Sequence, residues 1–371
     1  MTLLVLVFSA VALYLVTSFL FRSFSARRAE LGREFAQRGQ QDVREGNAKQ
    51  AIQDLRISLE YAPDQMYNRL LLAEALAAAH HPDQARSYFL TLLDQQPADG
   101  FINLQLARLE RQRGDAQRAI DYYRASAVGN WSTGSADERF RVQTELADYL
   151  IQRGDLPSAR AELLIAAADA PDEPNSQETL GDRFVQANDL PDALNLYRKA
   201  IKLSPENTEL LYKAGRVAYS MNEFDEAAKL LSVARRESAA AKLDPKDAVE
   251  LETLLASSRR IQELTLSQDV VPQDRVEHIL RALPIAKARF DGCEAHFNNG
   301  QVPAGLQALE NRWTDAEHNT ERRSLLEDQG QQDALVKLIF DTEQQTQQVC
   351  GAPQGDDALL LELSNASRTG R

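Results

Sequence analysis

The sequence predicts an all-α solenoid of helix-turn-helix repeats, with an N-terminal transmembrane helix and a C-terminal helical capping region. Three observations predict it. A turn residue followed five positions later by alanine recurs six times, as Gly46/Ala51, His80/Ala85, Gly114/Ala119, Gly154/Ala159, Asn188/Ala193 and Asn222/Ala227. The alanines are spaced 34, 34, 40, 34 and 34 residues apart, and a period of that length marks a hairpin that buries its apolar face only by stacking on neighbours. Thr2 to Phe21 is an uncharged apolar run, interrupted by Ser9, Thr17, Ser18 and the hydroxyl of Tyr14. Beyond Asp244-Pro245 the strict register fades but helical periodicity continues.

The apolar run comes first. About 20 residues at roughly 1.5 Å each match a roughly 30 Å hydrocarbon layer, so residues 1–21 are expected to form an uncleaved anchor. A cleaved signal peptide is the alternative. Against it, no Lys or Arg precedes the run, and Ser23-Phe24-Ser25-Ala26 places a bulky Phe24 where a small residue is needed. Residues 22–31 form a basic juxtamembrane linker that continues the anchor helix or joins it to the first repeat. Arg22, Arg27, Arg28, Arg33 and Arg38 all follow the run. The positive-inside tendency then places the body in the cytoplasm, at a bacterial inner membrane. A periplasmic-facing body is the alternative, which a disulfide would support.

Residues 32–241 divide into six units: 32–65, 66–99, 100–133, 140–173, 174–207 and 208–241. The eighth position of each is small: Gly39, Ala73, Ala107, Ala147, Gly181 and Gly215. The twentieth is the alanine series. The twenty-fourth is large: Leu55, Phe89, Tyr123, Leu163, Tyr197 and Leu231. The thirty-second is proline in four units, at Pro63, Pro97, Pro171 and Pro205, while Trp131 and Ala239 stand there in the others. Small residues let two antiparallel helices cross closely, and the large one fills the groove beside them. Proline ends the second helix because it lacks an amide proton and clashes with the preceding turn. Glycine in the turn takes a left-handed cap, and Asp115 or Asp155 caps the next helix. Six extra residues lie around Gly129 to Glu138. There Trp131 is expected either to cap the preceding helix or to occupy a partner-facing loop.

These positions together resemble the tetratricopeptide repeat family over about residues 32–241, although the first-helix tryptophan common in that family is absent. The layout of anchor, basic residues and repeats is similar to that of the bacterial lipopolysaccharide assembly protein B family, whose four-cysteine zinc module this chain lacks. The resemblance implies that first helices line a concave groove and that their second, fifth, ninth and twelfth positions face a ligand. Carried onto this chain, those positions include Tyr67, Leu70, Glu74, Phe101, Leu104, Arg108, Arg111, Arg141, Asp148, Asp182, Tyr212, Arg216 and Tyr219. Aromatic and arginine anchors of this kind suit an extended peptide or a partner helix. The chaperone-binding subset of the family grips a terminal carboxylate with lysine and asparagine at the fifth and ninth positions. Ala36, Gln40, Tyr212 and Arg216 stand there instead.

In the C-terminal part, 242–364, four stripes mark amphipathic helices read as hairpins that cap the stack. They are Leu251/Leu254/Leu255/Ser258, Val276/Ile279/Leu280/Leu283/Phe290, Leu306/Leu309/Trp313/Ala316 and Leu335/Leu338/Ile339/Thr342/Val349. Residues 365–371 read as a disordered polar tail. Cys293 and Cys350 can form one bridge in an oxidising compartment or stay as buried thiols. Cys293 and His296 have a C-x-x-H spacing and His318 lies further on. Two cysteines with distant partners make a poor zinc site, and no metal is expected.

A net charge of -13 argues against nucleic-acid binding, which needs a basic stripe. With 43% hydrophobic and 26% charged residues the chain has ample material for a folded core. No phosphate-binding glycine loop, nucleophile elbow, H-E-x-x-H or paired C-x-x-C occurs. No catalytic residue, cofactor or small-molecule substrate is therefore expected. The leading expectation is a non-enzymatic, membrane-anchored scaffold for protein or peptide partners. The alternatives are a periplasmic-facing structural component of an envelope biogenesis or secretion complex, and a regulatory subunit of an enzyme encoded elsewhere.

Overall fold

The computed structural model describes residues 2–131, 135–237, 243–297, 302–317 and 320–368, with side chains from Leu13 onward. The chain forms two compact units, Met1–Pro171 and Asp172–Arg371. Both are helical, and among the described residues there is no strand beyond one isolated bridge.

The first unit holds four hairpins: α1 (Thr2–Glu45) with α2 (Ala48–Tyr61), α3 (Met66–Ala78) with α4 (Pro82–Gln95), α5 (Gly100–Arg113) with α6 (Ala116–Ala127), and α7 (Ser135–Gln152) with α8 (Leu156–Asp169). The second opens with α9 (Pro174–Gln186) and α10 (Leu190–Leu203), then α11 (Thr208–Ser220) and α12 (Phe224–Glu237). Each hairpin turn falls within one unit of the sequence register, although α1 and α7 begin before theirs.

The turns explain why. Gly46, His80, Gly114, Gly154, Asn188 and Asn222 all take positive φ, between 56° and 80°. A left-handed residue reverses the chain within two or three residues, and glycine and asparagine adopt it at least cost. The Asp115 carboxylate then accepts from the Arg118 amide at 3.2 Å, and Asp155 does the same for Ser158 at 3.2 Å. Asp99, Asp189 and Asn207 cap α5, α10 and α11 in the same way.

The helix crossings follow the small-to-large rule. All six repeat alanines are fully buried. A Cβ added at Gly39 would stand 2.6 Å from Leu55 Cγ, and one at Gly215 would stand 2.6 Å from Leu231 Cγ. Ion pairs join successive hairpins within the first unit, including Arg86 with Glu110, Arg113 with Asp83, and Arg124 with Glu162 at 3.0 Å.

The insertion between the third and fourth hairpins folds back. Gly100 N donates to Asn130 O at 2.9 Å, Asn130 N donates to Ala98 O at 2.6 Å, and Trp131 Nε1 donates to Ser126 O at 3.1 Å. The indole covers Gly100, where a Cβ would approach Nε1 too closely to fit. Trp131 therefore closes the end of α6.

The apolar run lies in α1, which passes without a break through the basic segment into the first repeat. Leu13, Phe19, Phe21 and Phe24 are exposed. Among the described residues no helix is long and apolar enough to cross a membrane. The side chains of residues 1–12 lie outside the described set, so much of the anchor expected over 1–21 does too.

The rest of the second unit departs from simple hairpins. α13 (Pro245–Leu264) packs on α11 and α12. α14 (Pro272–Ala295) and α17 (Gln329–Cys350) pack together, with α15 (Ala304–Glu317), α16 (Arg322–Glu327) and α18 (Asp356–Arg368) around them. Three of the four predicted stripes, those starting at Val276, Leu306 and Leu335, form their shared core, from Ile261 through Ile279, Trp313 and Ile339 to Leu363, while Leu251 and Leu255 of the first stripe are buried outside it. The tail boundary expected at Asn365 is corrected: α18 continues to Arg368, because Leu360, Leu363 and Ala366 keep an inward stripe. Residues 369–371 lie outside the described set. Cys293 and Cys350 are joined by a disulfide between α14 and the end of α17, with Cα atoms 5.8 Å apart.

Candidate partner-binding surfaces

In the first unit, α5 and α7 are successive first helices, and their facing side chains form one network. Arg108 on α5 grips Glu145 on α7 through two bonds, Nε to Oε1 at 2.9 Å and Nη2 to Oε2 at 2.6 Å. The Tyr123 hydroxyl donates to the same Oε1 at 2.7 Å. Burial pushes the Glu145 carboxyl up, but hydrogen bonds from Arg108 and Tyr123 and the charges of Arg108 and Arg111 outweigh it, leaving it below the usual carboxylate range. Burial, then the neighbouring Glu145, raises the Tyr123 phenol.

One turn along the same helices, the Arg111 guanidinium lies 5.2 Å from the centre of the Tyr149 ring, and Arg153 lies 5.7 Å from it. Arg111 also donates to Gln152 at 2.9 Å. Tyr149 is buried, so its ring is a fixed platform with two cations against it. Arg141 sits nearer the start of α7, exposed, and donates to Glu138 at 3.0 Å.

The remaining first-unit candidates spread out. The Tyr67 side chain is 54% exposed, and its hydroxyl accepts from Gln40 Nε2 at 2.8 Å. It lines a hollow of about 370 Å³ with Arg33, Ala36 and Gln65. Leu70, Phe101 and Asp148 are half-buried. Glu74 is half-buried too, and that burial pushes its carboxyl up. Leu104 is 4% exposed and belongs to the core with Tyr123 and Leu146, so it cannot meet a ligand.

In the second unit the corresponding face is compensated. Lys213 reaches Glu178 at 2.7 Å, Asp182 at 3.0 Å and Glu209 at 3.3 Å. Asp182 also accepts from the Tyr197 hydroxyl at 2.6 Å. Burial works against the Lys213 charge, but its acidic neighbours win and raise its pKa. Tyr212 is 2% exposed, pointing its hydroxyl toward Asp247 of α13 at 3.4 Å, and burial pushes it up to about 12. It is core, not groove. Arg216 lies 5.6 Å from the Tyr212 ring centre. The Tyr219 hydroxyl donates to Glu362 at 2.7 Å, which ties α11 to α18.

Glu145, Tyr149 and Arg153 complete the Arg108–Arg111 network and stand outside the positions that the family resemblance marked. The signal for them was present, since Glu145 and Tyr149 lie four residues apart on one face of α7. Among the described residues no group of His, Cys, Asp and Glu is placed to hold a metal ion.

Repeated hairpins of this geometry define an all-helical repeat protein. Tetratricopeptide repeat models match residues 70–135 and 104–174, and a further one matches 184–248. Those segments are similar to tetratricopeptide repeats. No curated protein matches the chain in sequence. Among solved structures it is similar to the C-terminal part of a TPR repeat-containing protein from Cytophaga hutchinsonii, with 16% identity and a TM-score of 0.48 over 68% of this chain and 94% of that one. It is similar to Pseudomonas aeruginosa pilF, with 17% identity and a TM-score of 0.40 over 61% of this chain and 98% of that one. YrrB, described as a TPR protein with an unusual peptide-binding site, is 12% identical with a TM-score of 0.40, over 54% of this chain and 97% of that one. These likenesses say nothing of partners.

Proposed function

We propose that this chain is a non-catalytic, membrane-tethered scaffold that holds protein or peptide partners on the first-helix faces of its repeats. The observation that carries the reading is the α5–α7 network. Arg108 and Glu145 satisfy each other, whereas Arg111 and Arg153 both lie against the fixed Tyr149 ring and, among the described residues, neither is bonded to a carboxylate. A partner side chain with a carboxylate complements such a platform, and arginine and tyrosine are the residue types that anchor interfaces. The tether rests on the uncharged run Thr2 to Phe21.

The body lies on the oxidising side of the membrane in this reading. The Cys293–Cys350 bridge favours it, because thiols stay reduced in a bacterial cytoplasm. The arginines after the run favour the opposite orientation. A structural bridge between two packed helices is the more direct indicator, so the reading follows it.

Affinity capture from membranes with mass spectrometry tests the scaffold, comparing wild type with Arg111→Glu/Arg153→Glu. Loss of specific partners from the variant is expected, and equal recovery of all partners ends the reading. A C-terminal alkaline phosphatase fusion tests the orientation. It is expected to be active, and an inactive but stable fusion returns the body to the cytoplasm.

A further inference from the structure

The second unit carries a groove of about 740 Å³ that none of the repeat first-helix positions above explains. It lies among the turn after α11, the connection from α13 to α14, and the helices α17 and α18. Its floor is apolar, made by Phe224, Val336, Phe340 and Leu363. Val336 and Phe340 stand one turn apart on α17 and are only partly buried, although they pack against the unit's core.

The rim is charged, and its two signs are treated differently. Asp333 is taken by Arg275 at 2.7 Å and Asp341 by Arg312 at 2.8 Å. Lys337 and Arg368 also line the groove, both exposed, and neither meets a carboxylate among the described residues. The acids are spent and the bases are free, so the groove presents net positive charge beside an apolar floor within a chain of net charge -13.

Its walls are set before any ligand arrives. Arg275 is 4% exposed and donates to Leu266 O at 3.1 Å, Gln332 Oε1 at 2.9 Å and Asp333. The buried Gln344 amide donates to Ser364 Oγ at 2.6 Å, which fixes α18 against α17. A preformed concavity with few ordering costs is the usual design of a binding site.

We infer that this groove docks a peptide segment carrying a large apolar side chain next to a carboxylate. The apolar group fills the Val336–Phe340 floor, and the carboxylate pairs with Lys337 and Arg368. Two cations cannot support nucleic-acid affinity, which needs many phosphate contacts. The site goes beyond the repeat-face reading and uses different helices.

The test uses the full chain in mild detergent, in the Arg111→Glu/Arg153→Glu background so that the first unit's cationic face does not contribute. Two short labelled peptides are titrated by fluorescence anisotropy, one alternating Leu and Phe with Asp, the other with Lys in place of Asp. The acidic peptide is expected to bind about tenfold or more tighter. Adding Lys337→Glu/Arg368→Glu removes that preference without moving the thermal melt, since both side chains are exposed. Phe340→Ala weakens both peptides. The inference is overturned if neither peptide binds, if both bind equally, or if the charge reversal leaves the preference intact. It is also overturned if the chain self-associates through this face and the reversal abolishes that, because the occupant is then a second copy.

Discussion

Gly181 lies against the ring of Tyr197, and a Cβ at position 181 would stand 2.6 Å from Tyr197 Cε1. The ring cannot withdraw freely, because its hydroxyl is bonded to Asp182 at 2.6 Å. Gly181→Ala gains helix propensity of about 1 kcal/mol, but overpacking costs typically 1–3 kcal/mol. A net loss of about 1 kcal/mol is expected in urea denaturation, with Gly181→Val worse. An unchanged midpoint for both variants refutes close crossing at this hairpin.

His80 occupies a turn with φ 60°, a conformation that the other repeat turns assign to glycine or asparagine. His80→Gly is expected to stabilise the first unit by about 0.5–1 kcal/mol by relieving left-handed strain. Gly114→Ala, at φ 80°, is expected to cost about 1 kcal/mol. Differential scanning calorimetry reads both. The same sign for the two substitutions contradicts the turn assignment.

Glu343 on α17 is fully buried with neither carboxylate oxygen hydrogen-bonded. Burial, assisted by Asp357 and opposed by Arg289, pushes it from 4.5 up to about 8. The folded chain therefore holds a proton that the unfolded chain releases near pH 4.5. Its contribution is fully present below that pH and is lost as pH climbs toward 8. Glu343→Gln keeps the shape without the charge. It is expected to raise stability by roughly 1–2 kcal/mol above pH 8 and to change little at pH 4. Urea midpoints at the two pH values check this, and a variant weaker than wild type at high pH is the contrary result.

Arg108 and Glu145 form a two-pronged, half-buried pair. Arg108→Ala is expected to cost about 1–2 kcal/mol, since it leaves Glu145 with the Tyr123 hydrogen bond and the more distant Arg111 charge. In a double-mutant cycle with Glu145→Ala the coupling is expected near 1 kcal/mol. A coupling indistinguishable from zero shows a pair screened by solvent.

The bridge between Cys293 and Cys350 spans a separation of 57 residues. Closing a loop of that length restricts the unfolded chain by about 4 kcal/mol in the entropic view, and measured losses cluster around 2–4 kcal/mol. Replacing both cysteines with serine is expected to lower stability by that amount. Reductant should do the same to wild type and nothing to the variant. An identical reductant response in both proteins shows that no bridge had formed.

The hairpins were legible because their determinants are local. A left-handed turn residue, an alanine five positions on and a large residue four later each act within one unit, so the register from Gly39 to Leu231 reads directly off the chain. The surfaces were legible only in part. Leu104 and Tyr212 occupy positions that face a ligand by the family rule, yet both are covered. Leu104 joins the core around Tyr123, and α13 lies over Tyr212. Tyr219 meets Glu362 across 143 residues, a pairing that no periodicity can announce. The end of α18 was readable, since the spacing of Leu360, Leu363 and Ala366 continues the stripe that polar composition obscured.

The disulfide turns part of the second unit into a closed ring of chain that contains α15, α16 and α17. A protease that severs one peptide bond inside that ring leaves a molecule whose two ends are still covalently joined. Such a molecule runs as a single species on a non-reducing gel and parts into two only when thiol is added. Damage to this stretch can thus be inflicted without releasing a fragment, and the helices on either side keep their alignment.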